Sequence, residues 1–227
     1  MRVALIIHNS WPLMGGLEKV CLRLGQGLIS RGEGVKILAR STLKRAPLER
    51  YFNSLEAKRD FDNEGVPTSV LGLGMPSWLG FLIFKGIWKR STFTTARWVY
   101  SFFIVPQLKA QCRNCDVIHF FGNGAELLGF SAGKVARSLG IPFLVEPAIH
   151  VGQWGDSWID LSLYRMADRV LAHTETEKEY LLSQGLTTDQ VSTIVHGVDQ
   201  ETSGDGCLLY TSPSPRDQRG SRMPSSA

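Results

Sequence analysis

Apolar positions along this chain follow two rhythms that alternate from one end to the other. Residues 2–7 form a continuous Val- and Ile-rich run, the pattern of a strand buried on both faces. The segment from His8 to Gly16 contains Pro12, Gly15 and Gly16 and continues neither a strand nor a helix. Beyond it Leu17, Val20, Cys21, Leu24 and Leu28 recur at helical spacing, and Gly32 stands where a left-handed cap ends a helix. The same alternation returns downstream. Residues 35–39 read as a second strand, and the charge-dense stretch 47–64 reads as a helix with Leu48, Tyr51, Phe52 and Leu55 on one face. Residues 66–71 read as a third strand, whose Pro67 suggests an early or edge position. Between 72 and 111 neither rhythm dominates. A strand at 117–121 then precedes a helix from Glu126 to Leu139, which Gly140-Ile141-Pro142 ends. Strand 143–145, helix 158–167 and strand 170–173 follow. Thr174 and Glu177 have the spacing of a capping box for a helix reaching Gln184, and 191–195 is the last strand. Strands and helices alternating at this spacing predict an α/β fold, a doubly wound parallel sheet of Rossmann-like type with right-handed crossovers.

Composition narrows the class. A chain of 227 residues with 43% hydrophobic content fills one such core, assigned here to residues 1–200. Residues 201–227 are read as a hinge remnant followed by a polar, non-native tail without either rhythm. A net charge of +4 is no nucleic-acid footprint, so no nucleic-acid partner is expected. Four scattered cysteines suit a reducing compartment. Cys112 and Cys115 have C-x-x-C spacing but lack the second pair or nearby His of a zinc site, and no metal is expected. The apolar run 3–7 is too short for a secretory signal, and no run reaches the length of a membrane span. A cytoplasmic protein is expected. Within 78–98, however, Lys85, Lys89, Arg90 and Arg97 interleave with Trp88 and Trp98, the mixture used by helices that lie in a membrane interface. Packing on the sheet, or capping a cleft, is the alternative for that stretch. A peripheral place at the inner membrane face therefore stays open.

In an open parallel sheet, ligands bind beyond the carboxyl ends of the strands. Here those ends are His8-Asn9, Gly122-Asn123-Gly124, residues 146–156, Thr174-Glu175 and His196-Gly197, all polar or glycine-rich beside apolar strand interiors. Five such loops on one edge predict a cleft.

The strand followed by Gly15-Gly16-Leu17-Glu18 resembles the opening of the N-terminal domain of GT-B glycosyltransferases of the family-4 type, with its Gly-Gly-x-Glu loop. The likeness extends over residues 1–206. Gly140 to His150 is similar to the family's strand ending in a His near the reacting sugar, and Asp168 to Glu177 to its Ala-Asp-Arg-Val strand and acidic helix start. His196-Gly197-Val198-Asp199 matches the Asn-Gly-Val-Asp hinge into a second domain, with His in place of Asn. Arg31-Gly32-Glu33-Gly34-Val35 also departs, with Glu33 after Gly32 where the family usually has His. The run from Cys207 to Asp217 resembles one reading frame of a transposon-type sequencing-library adapter, which would make the tail a read-through product.

The resemblance implies the acceptor-side half of a retaining glycosyltransferase of hexosyltransferase type. Such an enzyme moves a sugar from a nucleotide-diphosphate sugar to a glycan or lipid-linked acceptor, without a further cofactor and without a protein nucleophile. It implies His150 as the catalytic-site residue hydrogen-bonding the donor sugar, with Gly15 and Gly16 binding the donor. Asn123, Glu126, Trp154 and Asp156 would shape the acceptor pocket. The family's Glu-x7-Glu motif and basic phosphate contacts belong to a second domain, so no turnover is expected of these residues alone. Two other functions compete, a GT-B sugar-nucleotide epimerase and a non-catalytic carbohydrate- or membrane-binding module.

Overall fold

A computed structural model describes residues 1–12, 15–41 and 58–195. The predicted helix residues 47–57, the hinge at His196–Asp199 and the tail lie outside the described residues. The first strand, β1 (Arg2–Asn9), is the centre of an eight-stranded sheet. Its continuous apolar run is divided by the pleat: Val3, Leu5 and Ile7 face one layer, while Ala4 and Ile6 face the other. Helix α1 (Gly16–Ser30) covers the first face with Cys21 and Leu22. It closes as a Schellman motif, with Gly32 N–H donating to Ile29 and Glu33 N–H to Leu28, and Gly32 at a φ of 79°.

Strand β2 (Gly34–Ser41) pairs parallel with β1 in the register Leu5↔Ile37 and Asn9↔Ser41. The expected helix does not include residues 59–63. They form β3 (Arg59–Asn63), antiparallel to β4 (Val66–Val70). A two-residue turn joins the two strands, in which Asp62 Oδ1 accepts the Gly65 N–H at 2.7 Å, so local turn chemistry overrides the charge density that suggested a helix. The edge place suggested for Pro67 is occupied by β3 instead. Pro67 opposes Asp62, one pair beyond the turn, where an antiparallel ladder needs no N–H, and the pairing with β2 begins only at Thr68.

Two helices fill the segment of mixed pattern, α2 (Ser77–Ile87) and α3 (Arg90–Cys112). The remaining elements are β5 (Val117–Phe121), a short 3-10 turn (Gly124–Glu126), α4 (Leu128–Leu139), β6 (Phe143–Glu146), α5 (Trp158–Tyr164), β7 (Arg169–Ala172), α6 (Glu175–Ser183) and β8 (Val191–Thr193). Helix α5 is shorter than expected. Its last turn tightens through Ala167 N–H to Tyr164, and the Gln190 side chain takes up the carbonyls of Tyr164 and Ala167. Thr174 caps α6 as expected, but Glu177 reaches one residue further back, accepting the His173 N–H at 2.6 Å.

The strand order is β3-β4-β2-β1-β5-β6-β7-β8, parallel throughout except for the β3–β4 pair. The expected Rossmann-like α/β architecture is therefore present, with a hairpin added at one edge. Among the described residues no helix is long and apolar enough to cross a membrane. Ile6 is fully buried at the centre of the larger core, so Ile6→Ala should lower stability by about 2–5 kcal/mol in urea unfolding, with the denaturant slope unchanged.

Candidate functional site

The register of the sheet decides which side chains meet. Ile7 lies level with Phe121, Phe121 with Glu146, and Asn9 with Ser41. The loops carrying Gly16, Asn123 and His150 consequently all leave the sheet at its carboxyl edge. Gly15 and Gly16 differ in what they offer there. The Gly15 N–H is already held by the Glu18 carboxylate at 3.0 Å, whereas open space lies over the Gly16 Cα. Gly16 is also the first residue of α1, where unpaired amides and the helix dipole favour an anion.

Beyond β6 the chain folds back on itself. His150 and Trp154 exchange backbone hydrogen bonds of 2.9 and 3.0 Å, and their rings meet edge to face with centroids 4.1 Å apart. Both side chains are exposed. Gly155 makes this turn possible. At its φ of 78° an added Cβ would stand 2.2 Å from the Ala148 carbonyl oxygen. Asp156 accepts the Gly152 N–H at 2.5 Å and so closes the loop. Asn123 fastens the loop to β5: its Nδ2 donates to the Ala148 carbonyl at 3.1 Å, while its Oδ1 accepts the Ala148 N–H at 3.2 Å and the Tyr164 hydroxyl at 3.1 Å. The structure thus gives Asn123 and Asp156 supporting contacts, while His150 and Trp154 form the projecting surface.

Glu126 lies deeper. Its Oε2 is sealed from solvent without a hydrogen-bond partner among the described residues. Burial, reinforced by the charges of Glu18 and Asp160, raises its carboxyl to about 8. Asp160 is fully engaged by comparison, accepting the Gly124 N–H at 2.7 Å and the Ser157 hydroxyl at 2.6 Å.

Two buried polar groups at this edge involve His8 and Glu146, which the sequence marked only as strand-end residues without a site role. Glu146, the last residue of β6, sits between His119 Nε2 at 3.0 Å and His173 Nε2 at 3.3 Å. Burial by itself would raise the Glu146 carboxyl, but the hydrogen bonds and charge of the two histidines outweigh it and bring it down to about 2. On the opposite face of the sheet His8 and Arg40 are both buried at the carboxyl ends of β1 and β2. Burial, with the Arg40 charge adding to it, lowers His8 to about 3, so its ring is neutral at pH 7. A charged or polar residue closing an apolar strand, as Glu146 and Arg40 do, was the available signal. Among the described residues no group of three or more His, Cys, Asp or Glu could hold a metal ion.

The profile of Glycosyltransferase Family 4 matches residues 14–202. The chain belongs to this family. Among solved structures, sucrose-phosphate synthase from Thermosynechococcus elongatus is similar at 16% identity, with a TM-score of 0.52 over 88% of this chain and 91% of that one. HepE from Anabaena, solved in complex with UDP and glucose, gives a TM-score of 0.56 at 13% identity over 88% of this chain and 45% of that one. A UDP-GlcNAc 2-epimerase from Neisseria meningitidis bound to UDP-GlcNAc gives 0.50 at 17% identity, over 86% of this chain and 46% of that one. At these identities the likeness is one of fold, and it is the fold expected of one GT-B half. The family-4 chain described here spans about half the length of HepE and of the epimerase. No curated protein sequence matches it significantly.

Two titrations follow from the buried carboxyls. Glu146 is depressed from 4.5 to about 2, so its contribution to stability is complete above pH 4.5 and disappears as pH falls towards 2. Urea midpoints across that window should fall more steeply for the wild type than for Glu146→Gln, which should also be less stable at pH 7 by about 1–3 kcal/mol. Glu126 has the opposite sign. Raised from 4.5 to about 8, it favours the folded state below pH 4.5 and loses that contribution as pH rises to 8. Glu126→Gln should match the wild type in urea at pH 4 and exceed it at pH 8.

Proposed function

We propose that this family-4 domain is the acceptor-side half of a retaining glycosyltransferase. On this reading the complete enzyme moves a hexose from a nucleotide-diphosphate sugar to a glycan or lipid-linked acceptor, and the half chain alone has no turnover. The observation that carries the reading is that the open Gly16 turn and the projecting His150–Trp154 pair both follow strands at the carboxyl edge of the sheet. The α1 N-terminus offers amides and a positive dipole end to a diphosphate, and Gly16 leaves room for close approach. On this reading the exposed His150 ring, packed against Trp154, hydrogen-bonds a sugar hydroxyl. Trp154 adds an exposed aromatic face to the acceptor side, and Asn123 and Asp156 hold that loop in shape. On this reading Glu126, buried beside Gly122 and neutral below pH 8, lines the floor of the acceptor side.

Sugar transfer with retention needs no protein nucleophile on this reading. The rate then derives from positioning and from stabilising the departing diphosphate. A nucleotide sugar is the only donor required, and no metal or further cofactor enters. The fold shared with a UDP-GlcNAc 2-epimerase favours a second reading, in which the donor sugar is epimerised rather than transferred.

The test uses the complete enzyme carrying both GT-B halves. Incubation with labelled nucleotide sugar and chromatographic analysis should show a new glycoside, whereas an epimerised nucleotide sugar without glycoside would establish the second reading. Gly16→Val and His150→Ala should each lower kcat by about 10² or more. Near-wild-type turnover in both would remove these residues from the site.

A further inference from the structure

The α2–α3 hairpin exposes aromatic side chains that the sheet does not use. On α2, Gly80, Ile83 and Ile87 are buried against the core. Trp78, Phe81, Leu82 and Lys85 face away from it at successive turns, and Trp88 and Lys89 continue the stripe just beyond the helix end. Trp78 is 64% exposed and Leu82 55%. Helix α3 adds Trp98 and Phe102, whose rings lie 6.3 Å apart and which are 63% and 66% exposed. A monomeric protein in water rarely leaves so many large apolar side chains uncovered along one hairpin.

The charges of this segment point to what covers it. From Gly65 to Cys115 there is no Asp or Glu, while Lys85, Lys89, Arg90, Arg97, Lys109 and Arg113 all fall within it. Arg97 is turned inward onto the Phe93 and Phe130 rings, whereas Lys85 and Lys89 remain in solvent beside the exposed aromatics. A protein partner is ordinarily met with charges of both signs. A stripe of Trp, Phe and Leu flanked only by cations is complementary to an apolar layer beneath an anionic surface. Neither helix is suited to cross a bilayer, so the hairpin would lie on one.

We infer that the α2–α3 hairpin docks this domain on an anionic lipid bilayer, with Trp78, Phe81 and Leu82 inserted between headgroups and Lys85 and Lys89 against lipid phosphates. The hairpin adjoins the candidate site. Arg90, at the start of α3, lies over the Trp158 ring at 5.3 Å, and Phe93 meets the same ring at 5.0 Å. Trp158 opens α5, two residues after Asp156. A docked hairpin therefore holds the His150–Trp154 loop near the lipid surface. For the transferase reading, which this last step rests on, it favours a lipid-borne acceptor over a free glycan. Bilayer docking itself does not depend on that reading.

The test is sedimentation of the 227-residue chain with sucrose-loaded vesicles of phosphatidylcholine alone or with 30% phosphatidylglycerol, probe compositions chosen on the order of physiological anionic content. Binding is expected with the anionic vesicles at low salt, at least about tenfold weaker on neutral vesicles, and lost in high salt. Trp78→Ser combined with Leu82→Ser, and separately Lys85→Glu combined with Lys89→Glu, should each weaken binding by about tenfold or more. Both pairs are exposed, and unchanged circular dichroism and urea midpoints verify folding. The charge-matched control Lys19→Glu with Arg23→Glu, on the α1 face of the sheet, should bind as the wild type does. Absence of binding to anionic vesicles at low salt overturns the inference. So does binding that survives both hairpin variants, or a salt-insensitive dimer that Trp78→Ser and Leu82→Ser abolish, which would identify a second copy as the occupant. Docking with no lipid-linked product in the complete enzyme would leave the bilayer surface standing and remove only the acceptor assignment.

Discussion

Parallel pairing of β1 with both β2 and β5 is the constraint from which the other features descend. A parallel neighbour requires the chain to return to the starting edge before each new strand, so β1, β2 and β4 through β8 all end on the same side, and only the antiparallel β3 runs the other way. With β2 and β4 placed to one side of β1 and β5 through β8 to the other, α1 and the later helices cover opposite faces. The carboxyl edge then collects the loops after β1, β5, β6 and β7, where functional side chains stand without interrupting the core.

That edge is also where the fold tolerates ionisable groups in its interior. Strand centres are occupied by Leu5, Ile6, Leu38, Phe120 and Val145, all buried. One step further along the same strands come His8, Arg40 and Glu146, equally buried but polar. Each is accommodated by its setting: Glu146 lies between two histidines, and His8 loses its charge beside Arg40. Glu126 solves the same problem by remaining protonated. Buried groups with shifted titration are a common accompaniment of function, and here they lie at the carboxyl edge from which the loops carrying Gly16 and His150 also leave.

The projecting loop depends on backbone contacts rather than on side-chain packing. Asn123, Asp156 and Gly155 all act on the stretch from Ala148 to Asp156, and they leave His150 and Trp154 outside. The α2–α3 hairpin reaches the base of the same loop through Arg90, Phe93 and Trp158. Surface, loop and sheet edge are thus parts of one neighbourhood, joined by a short run of aromatic contacts.

The amino-acid sequence by itself determined the alternation of strands and helices, the phase of α1, its cap at Gly32 and the Thr174 cap of α6. These rest on interactions within a turn or a pleat, and such interactions are written in neighbouring residues. It also placed Gly16, Asn123 and His150 on strand ends, because a parallel sheet leaves strand ends no other side to occupy. Only the tertiary structure decided that 59–63 is a strand, since a hairpin needs its partner β4 and not merely its own composition. Only the tertiary structure brought Glu146 between His119 and His173, and turned Asn123 towards Ala148, because register across non-adjacent segments is set by the whole sheet. The same holds for the aromatic stripe on α2. The sequence showed that those side chains were present, but which of them a core would cover depended on how the hairpin lies against α4 and α5.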